Sequence, residues 1–428
     1  MPSPPSAHRY PCDNCGASLI FSPGLQSLEC PYCGHIQKIG PGAVPVSPDR
    51  ALQWDAGHKV PQLVEIPLEK GLNLDAGGDL VQQIRTLSCP NCGARFELDA
   101  DSHATTCPFC ATPVVTDTGT SRQIKPQGVL PFVVTEEQAR AALEDWMGRL
   151  WFAPSGLLAY SRRGRRMTGV YSPFWTFDAE TSSGYSGARG DWYYETVYVT
   201  ETVNGQTRRV PRQVRRTRWT PVRGRVSRAF NDVLVLAATA LPRRMTDALT
   251  PWDLSHLHSY SPQFLSGFEA EGYTIPLASG HDIARREMEA VILMDVRRDI
   301  GGDEQRVTGI GTDYSAETFK HILLPIWSAA YRYNGNSYRF LVNGQSGRVQ
   351  GERPWSVWKL AGAIIAGLLL LALLLAAAER SGVVQIGNNG AGQRFSSDGG
   401  YTIQGYAFAG GGPNDPVLRR VADRYGAS

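Results

Sequence analysis

Eight cysteines fall into one pattern used twice, Cys12-x2-Cys15-x14-Cys30-x2-Cys33 and Cys89-x2-Cys92-x14-Cys107-x2-Cys110, and no other cysteine occurs in the chain. A Cys-x2-Cys turn points two thiolates at one centre, and two such turns supply the four soft ligands of a tetrahedral metal site. The expected cofactors are two structural Zn2+ ions, with all eight cysteines as ligands. Iron held in a rubredoxin-like site uses similar knuckles. Disulfides compete for the same residues, but Met1–His8 shows no basic segment leading into an apolar run. Without a secretion signal, paired knuckles favour metal. A site closed by four cysteines has no open coordination position, so its expected contribution is folding free energy and not catalysis.

The elements that must position these thiolates are short. Gly16, Gly34 and Gly93 follow the second cysteine of three knuckles, where the chain turns tightly and a side chain would crowd the sulfurs; Cys107-Pro-Phe-Cys110 lacks the glycine. Residues 17–21 and 94–98 alternate as strands do, which makes each block a zinc ribbon.

A second feature is physical. Residues 360–378 are nineteen in a row without a charge, about 28 Å of helix at ~1.5 Å per residue. Trp355, Trp358 and Lys359 precede them as interfacial anchors and Glu379-Arg380 follows. The expectation is a transmembrane helix. Arg332, Arg339, Arg348, Arg353 and Lys359 outnumber Arg380 and Arg394 across it, so the N-terminal side is expected to be cytoplasmic. This makes the expected setting single-pass in the inner (cytoplasmic) membrane, with the lipid bilayer as a partner.

The expected fold is multidomain: zinc ribbons at 8–40 and 85–118 joined by a linker at 41–84, a strand-rich α+β domain at 119–350, a transmembrane helix at 357–378 and a flexible Gly-rich tail at 379–428. Within the α+β domain, Pro173-Phe-Trp-Thr and Pro325-Ile-Trp-Ser share a core that suggests internal duplication. Thr135 with Gln138 forms a capping box for a helix, and 128–135 reads as a strand before it. Hairpins turn at Asn204-Gly205, Asn334-Gly335 and Asn343-Gly344.

The chain carries a net charge of +3 and only six lysines among its 43 basic residues. The arginines cluster at 162–166 and again from Arg208 to Arg228, where Arg208, Arg209, Arg212, Arg215, Arg216, Arg218, Arg223, Arg225 and Arg228 occur with no acid between them. A solvated hairpin face, anionic lipid and nucleic acid are the readings open for the second cluster.

Catalytic constellations are scarce. No Gly-Lys dipeptide occurs, so there is no phosphate loop, and His-Glu-x-x-His and Gly-x-Ser-x-Gly are both absent. His256-x-His258 has the look of a metal pair but reads better as a strand-face pair. Asp295, Asp299, Asp303 and Glu304 read as the polar exit of a helix. An enzyme is not expected.

The paired ribbons, the stretch Thr318-Phe-Lys-His-Ile-Leu-Leu-Pro-Ile-Trp, the stretch Asn343-Gly-Gln-Ser-Gly and the apolar segment together resemble a bacterial family of membrane-anchored double zinc-ribbon proteins. Its members are frequently labelled primosomal protein N′ or replication-restart helicase. A helicase needs a phosphate-loop lysine after glycine, and none of the six lysines here follows one. The resemblance implies instead a role in membrane stress, with flotillin-like or phage-shock-type cytoplasmic proteins as partners. The expected function is a non-enzymatic zinc-ribbon adaptor that presents a docking surface. The alternative is a membrane-tethered nucleic-acid-binding protein using the ribbons and the Arg-rich hairpin.

Overall fold

The computed structural model describes residues 10–39, 63, 65–73, 81–97, 104–107, 109, 113–115, 119–150, 167–203, 206–333, 336–352 and 356–380. The arginine cluster at 162–166, the Asn204-Gly205 and Asn334-Gly335 turns and the tail beyond 380 lie outside these residues. The chain forms two compact units, one of Met1–Leu143, Arg166–Gly351 and Val417–Ser428, the other of Glu144–Arg165 and Glu352–Pro416.

Three strands of unusual length organise the first unit: Thr168–Val203, Gln206–Leu236 and Glu304–Tyr333. The first lies between the other two and is antiparallel to both, in a nine-stranded sheet. The two stretches with a shared Pro-x-Trp core lie side by side in it, with Tyr171 opposite Pro325 and Trp175 opposite His321. Near this crossing the sheet is covered on both faces. Val170, Phe174, Ile322, Leu324 and Ile326 enter one core cluster, and Trp175, Phe177 and Phe319 enter another. A strand buried on both faces reads as a near-continuous apolar run, which is what Ile322–Trp327 is.

Helix Leu277–Ile300 covers the second face through Ala284, Met288, Val291, Ile292 and Val296, spaced to form one buried stripe. It ends at Gly301 with φ 65°, a conformation that suits glycine. Residues 128–135 are strand only at Gly128–Val129, where two ladders form; the rest leads through a bend at Val134 to the helix Glu136–Gly148. That helix begins as its capping box requires: Thr135 N donates to Gln138 Oε1 (2.9 Å) and Gln138 N to Thr135 Oγ1 (3.3 Å). Part of the expected linker belongs to the core. Ile66 pairs with Phe319, and Ile66 and Leu68 are buried against it.

The second unit holds helix Val357–Arg380. Here the expected transmembrane span is corrected: among the described residues no helix is long and apolar enough to cross a membrane. The helix exposes Leu368, Leu369, Leu370, Leu371, Leu373 and Leu374.

The Lys-His of the signature stretch is a buried polar pair. Lys320 Nζ sits 2.8 Å from Asp232 Oδ1, 3.1 Å from Glu65 Oε1 and 3.3 Å from Asp178 Oδ2. Desolvation opposes its charge, but Asp232 and Asp178 outweigh that and hold the ammonium above the ordinary lysine pKa. Lys320→Met would leave the buried Asp178 carboxylate and the half-buried Asp232 without their cation, and is expected to cost about 3–5 kcal/mol in urea unfolding. His321, fully buried, places Nδ1 2.8 Å from the Ile124 carbonyl, and burial pushes its pKa down to about 4. In the unfolded chain an imidazole titrates near ~6.5, so as pH falls the unfolded state takes the proton first. The stability this neutral histidine contributes is whole above ~6.5 and is lost as pH falls toward 4. Between pH 7 and 4.5, wild type is expected to lose about 2–3 kcal/mol more than His321→Phe, read from urea midpoints at the two pH values.

Candidate metal centres

Three of the knuckles, those opened by Cys12, Cys30 and Cys89, are short loops closed by two backbone hydrogen bonds each. Cys12 N donates to Ala17 O (2.7 Å) and Gly16 N to Cys12 O (2.8 Å). Cys30 with His35 and Gly34, and Cys89 with Ala94 and Gly93, repeat the arrangement at 2.8–2.9 Å. Gly16, Gly34 and Gly93 have φ of 73°, 69° and 74°. The expected reason for glycine is half right. A Cβ at these three positions would meet nothing within 4 Å, so the left-handed backbone requires glycine and crowding of the sulfurs does not.

In the first cluster the sulfurs of Cys12, Cys15, Cys30 and Cys33 all lie within 4.8 Å of one another. Cys12 Sγ is 3.6 Å from Cys33 Sγ, and Cys15 Sγ is 3.5 Å from Cys30 Sγ. A disulfide would bring a pair to ~2.05 Å, and no disulfide joins the described cysteines. The second cluster brings Cys89, Cys92 and Cys107 together, with Cys92 Sγ 3.6 Å from Cys107 Sγ. Cys110 lies outside the described residues. Both clusters can hold a metal ion.

The electrostatics of the first cluster favour a cation at its centre. The His35 backbone N–H and the Asn14 side chain stabilise the Cys33 thiolate and bring its pKa down to about 6. The Ala17 backbone N–H acts to lower Cys15 too, but Cys30 and Cys33 outweigh it and the thiol is pushed up to about 12. Four thiolates at these separations repel each other, and a bound divalent ion offsets that repulsion.

Neither cluster hangs free. The first ribbon has strands Ile20–Ser22, Ser27–Glu29 and Ile36–Gln37. Ser266 Oγ donates to Leu19 O (2.6 Å), Phe21 N donates to Ser266 O (2.9 Å), and the Phe21 ring meets Phe264 edge-on at 5.5 Å. Gln26 Nε2 donates to Phe132 O (2.7 Å). The second ribbon is tied more deeply: Cys89, Ala94, Cys107 and Phe109 are buried in the same core cluster as Leu130, Val170 and Ile322. Gly272 N donates to Arg95 O at 2.9 Å. Glu271 is buried at 3 % exposure, and burial raises its carboxyl to a pKa of about 8, with Cys92 adding to the effect.

The other candidates scatter. His256 pairs with Asp253 (3.0 Å), while His258 sits in a short strand against the Phe264 ring; the two are in no ligand cluster among the described residues. The four acids at the helix exit do more than solvate it. Asp295 takes both arms of Arg228 (2.6 and 2.8 Å), Asp299 accepts from Tyr185 Oη (2.5 Å), Asp303 from Trp192 N (2.8 Å) and Glu304 from Trp192 Nε1 (2.7 Å). They brace the Arg-rich hairpin, a long-range role that no local pattern announces.

No family model and no solved structure matches this chain. The chain is similar to a Bacillus subtilis (strain 168) protein named "Uncharacterized protein YdjG", 27% identical over 263 residues, covering 60% of this chain and 72% of that protein.

Two bound metal ions per chain are expected by elemental analysis of purified protein. Cys12→Ser with Cys33→Ser should reduce that to one. The double variant should also melt several degrees lower, at ~2–4 °C per kcal/mol lost.

Proposed function

We propose that this chain is a non-enzymatic zinc-ribbon scaffold whose two structural Zn2+ ions stiffen a docking surface for protein partners. The observation that carries the proposal is how the cysteine clusters are joined to the sheet. Each ribbon is fixed to the domain built on the long strands, one through Leu19, Phe21 and Gln26, the other through a shared apolar core. Metal held this way sets the position of surface loops and stabilises them, while four sulfurs close the site to substrate.

The sulfur spacing suits a tetrahedral thiolate site of the kind that holds zinc. At a Zn–S length of ~2.3 Å a regular tetrahedron has S···S edges of about 3.8 Å, and the described pairs stand at 3.5–3.6 Å. The partner class follows from the family resemblance: flotillin-like or phage-shock-type cytoplasmic proteins. The proposal requires no membrane span.

The test is affinity purification of the tagged full chain, with nuclease present. A flotillin-like or phage-shock-type protein should co-purify with wild type and be lost with Cys30→Ser and Cys89→Ser. ATP hydrolysis by the pure protein, or recovery of those partners unchanged by the cysteine variants, would overturn the reading. Iron in place of zinc by elemental analysis would overturn the metal assignment.

A further inference from the structure

Beyond Gly190, which pairs with Glu304 at the end of the third long strand, the first two strands continue alone to Val203 and Gln206. At ~3.3 Å per residue they form a two-stranded arm about 40 Å long. Residues paired across the arm point to the same side, so the register divides its side chains into two faces.

The two faces differ in kind. One carries Arg212, Arg216 and Arg218 opposite Val197, Tyr193 and Asp191. Its charges are partly matched, with Arg216 3.2 Å from Glu195, and it runs back onto helix Leu277–Ile300 through Tyr185 and Arg228. The other carries Trp192, Tyr194 and Tyr198 with Arg215, and all four are exposed. The Arg215 guanidinium lies 4.0 Å over the Trp192 ring, and at the arm's root Arg306 lies 3.8 Å over Trp219. Toward the core this face becomes a floor of Ser182, Gly184 and Ser186, beside exposed Arg223 and Arg225. A Cβ at Gly184 would meet nothing. The acids on this face are Glu304, already bound to Trp192 and Thr217, and Glu180 and Asp313 at its inner end.

We propose that this second face binds single-stranded nucleic acid, with bases stacked on Tyr194 and Tyr198 and phosphates held by Arg215, Arg223 and Arg225. Trp192 and Tyr194 are on alternate residues, so their attachment points recur at ~7 Å, twice the ~3.4 Å stacking distance, while Tyr198 stands ~13 Å beyond Tyr194 on the same face as a separate stacking platform. Base stacking on aromatic side chains combined with a basic track is the physics of sequence-tolerant single-strand binding. The composition argues against an apolar occupant. From Ser182 to Thr200 and from Arg209 to Arg225, this face has no Val, Leu, Ile, Met or Phe to enter hydrocarbon or an apolar protein groove. The outer strand has Pro211 and Pro221 among its arginines, which deters pairing with a second copy along that edge. The inference goes beyond the scaffold reading and does not rest on it.

The test uses the purified full chain and fluorescence anisotropy of a labelled oligothymidylate of about 15 nucleotides. Binding should weaken as salt rises, and Arg223→Ala/Arg225→Ala should flatten the salt slope by about 1–2. Tyr194→Ala/Tyr198→Ala should weaken binding about 10-fold or more. Arg212→Ala/Arg216→Ala, on the opposite face, should change it by less than about twofold. All variants should keep the wild-type circular dichroism. Absence of binding, equal loss from the opposite-face variant, tighter binding of a duplex, or displacement of the oligonucleotide by phosphatidylserine vesicles would each overturn the proposal.

Discussion

Four thiolates within 4.8 Å of one another, as Cys12, Cys15, Cys30 and Cys33 would be, repel each other unless a cation lies between them. Within the cluster the His35 backbone N–H and Asn14 bring Cys33 down to about 6, while against the Ala17 backbone N–H, Cys30 and Cys33 hold Cys15 up at about 12. A metal ion turns the repulsion into the strongest local constraint available to a module too small to bury a core of its own. From there the constraint spreads. Leu19 and Phe21 are fixed on Ser266 and Phe264, while Cys89 and Cys107 share a core with strand residues far along the chain.

The sheet those ribbons join has two regimes along the same strands. Around Trp175 and His321 both faces are covered, and the buried polar groups there are strongly constrained: Lys320 between carboxylates, His321 held neutral against the Ile124 carbonyl. Past Tyr185 one face keeps its helix while the other opens to solvent. Past Gly190 the third strand ends and two strands continue alone. A two-stranded ribbon is marginal by itself, and here Asp303 and Glu304 hold its root through Trp192.

What the sequence revealed followed the range of the interaction. The knuckles, the Thr135–Gln138 capping box and the Asn343 turn depend on residues a few positions apart, and their chemistry is readable from spacing. In that turn Asn343 Oδ1 accepts from Gln345 N and Ser346 N, with Gly347 at φ 74°. The burial of Ile66 and Leu68, read as linker, depends on Phe319 some 250 residues away. The same holds for the acids at the helix exit: their partners Arg228, Tyr185 and Trp192 come from strands aligned only by the fold. The apolar run at 360–378 shows the opposite error, since hydropathy is local and gave a span that no described helix provides.

The central claim is that metal in the cysteine clusters holds surface loops of the sheet domain in place. Hydrogen exchange of the full chain, followed by mass spectrometry with and without a strong chelator, tests it directly. Removing metal should release protection at 19–29 and 89–97 and also at the loop around 262–272, while strand residues 210–220 of the arm exchange as before. Unchanged protection at 262–272 after complete loss of metal would contradict it.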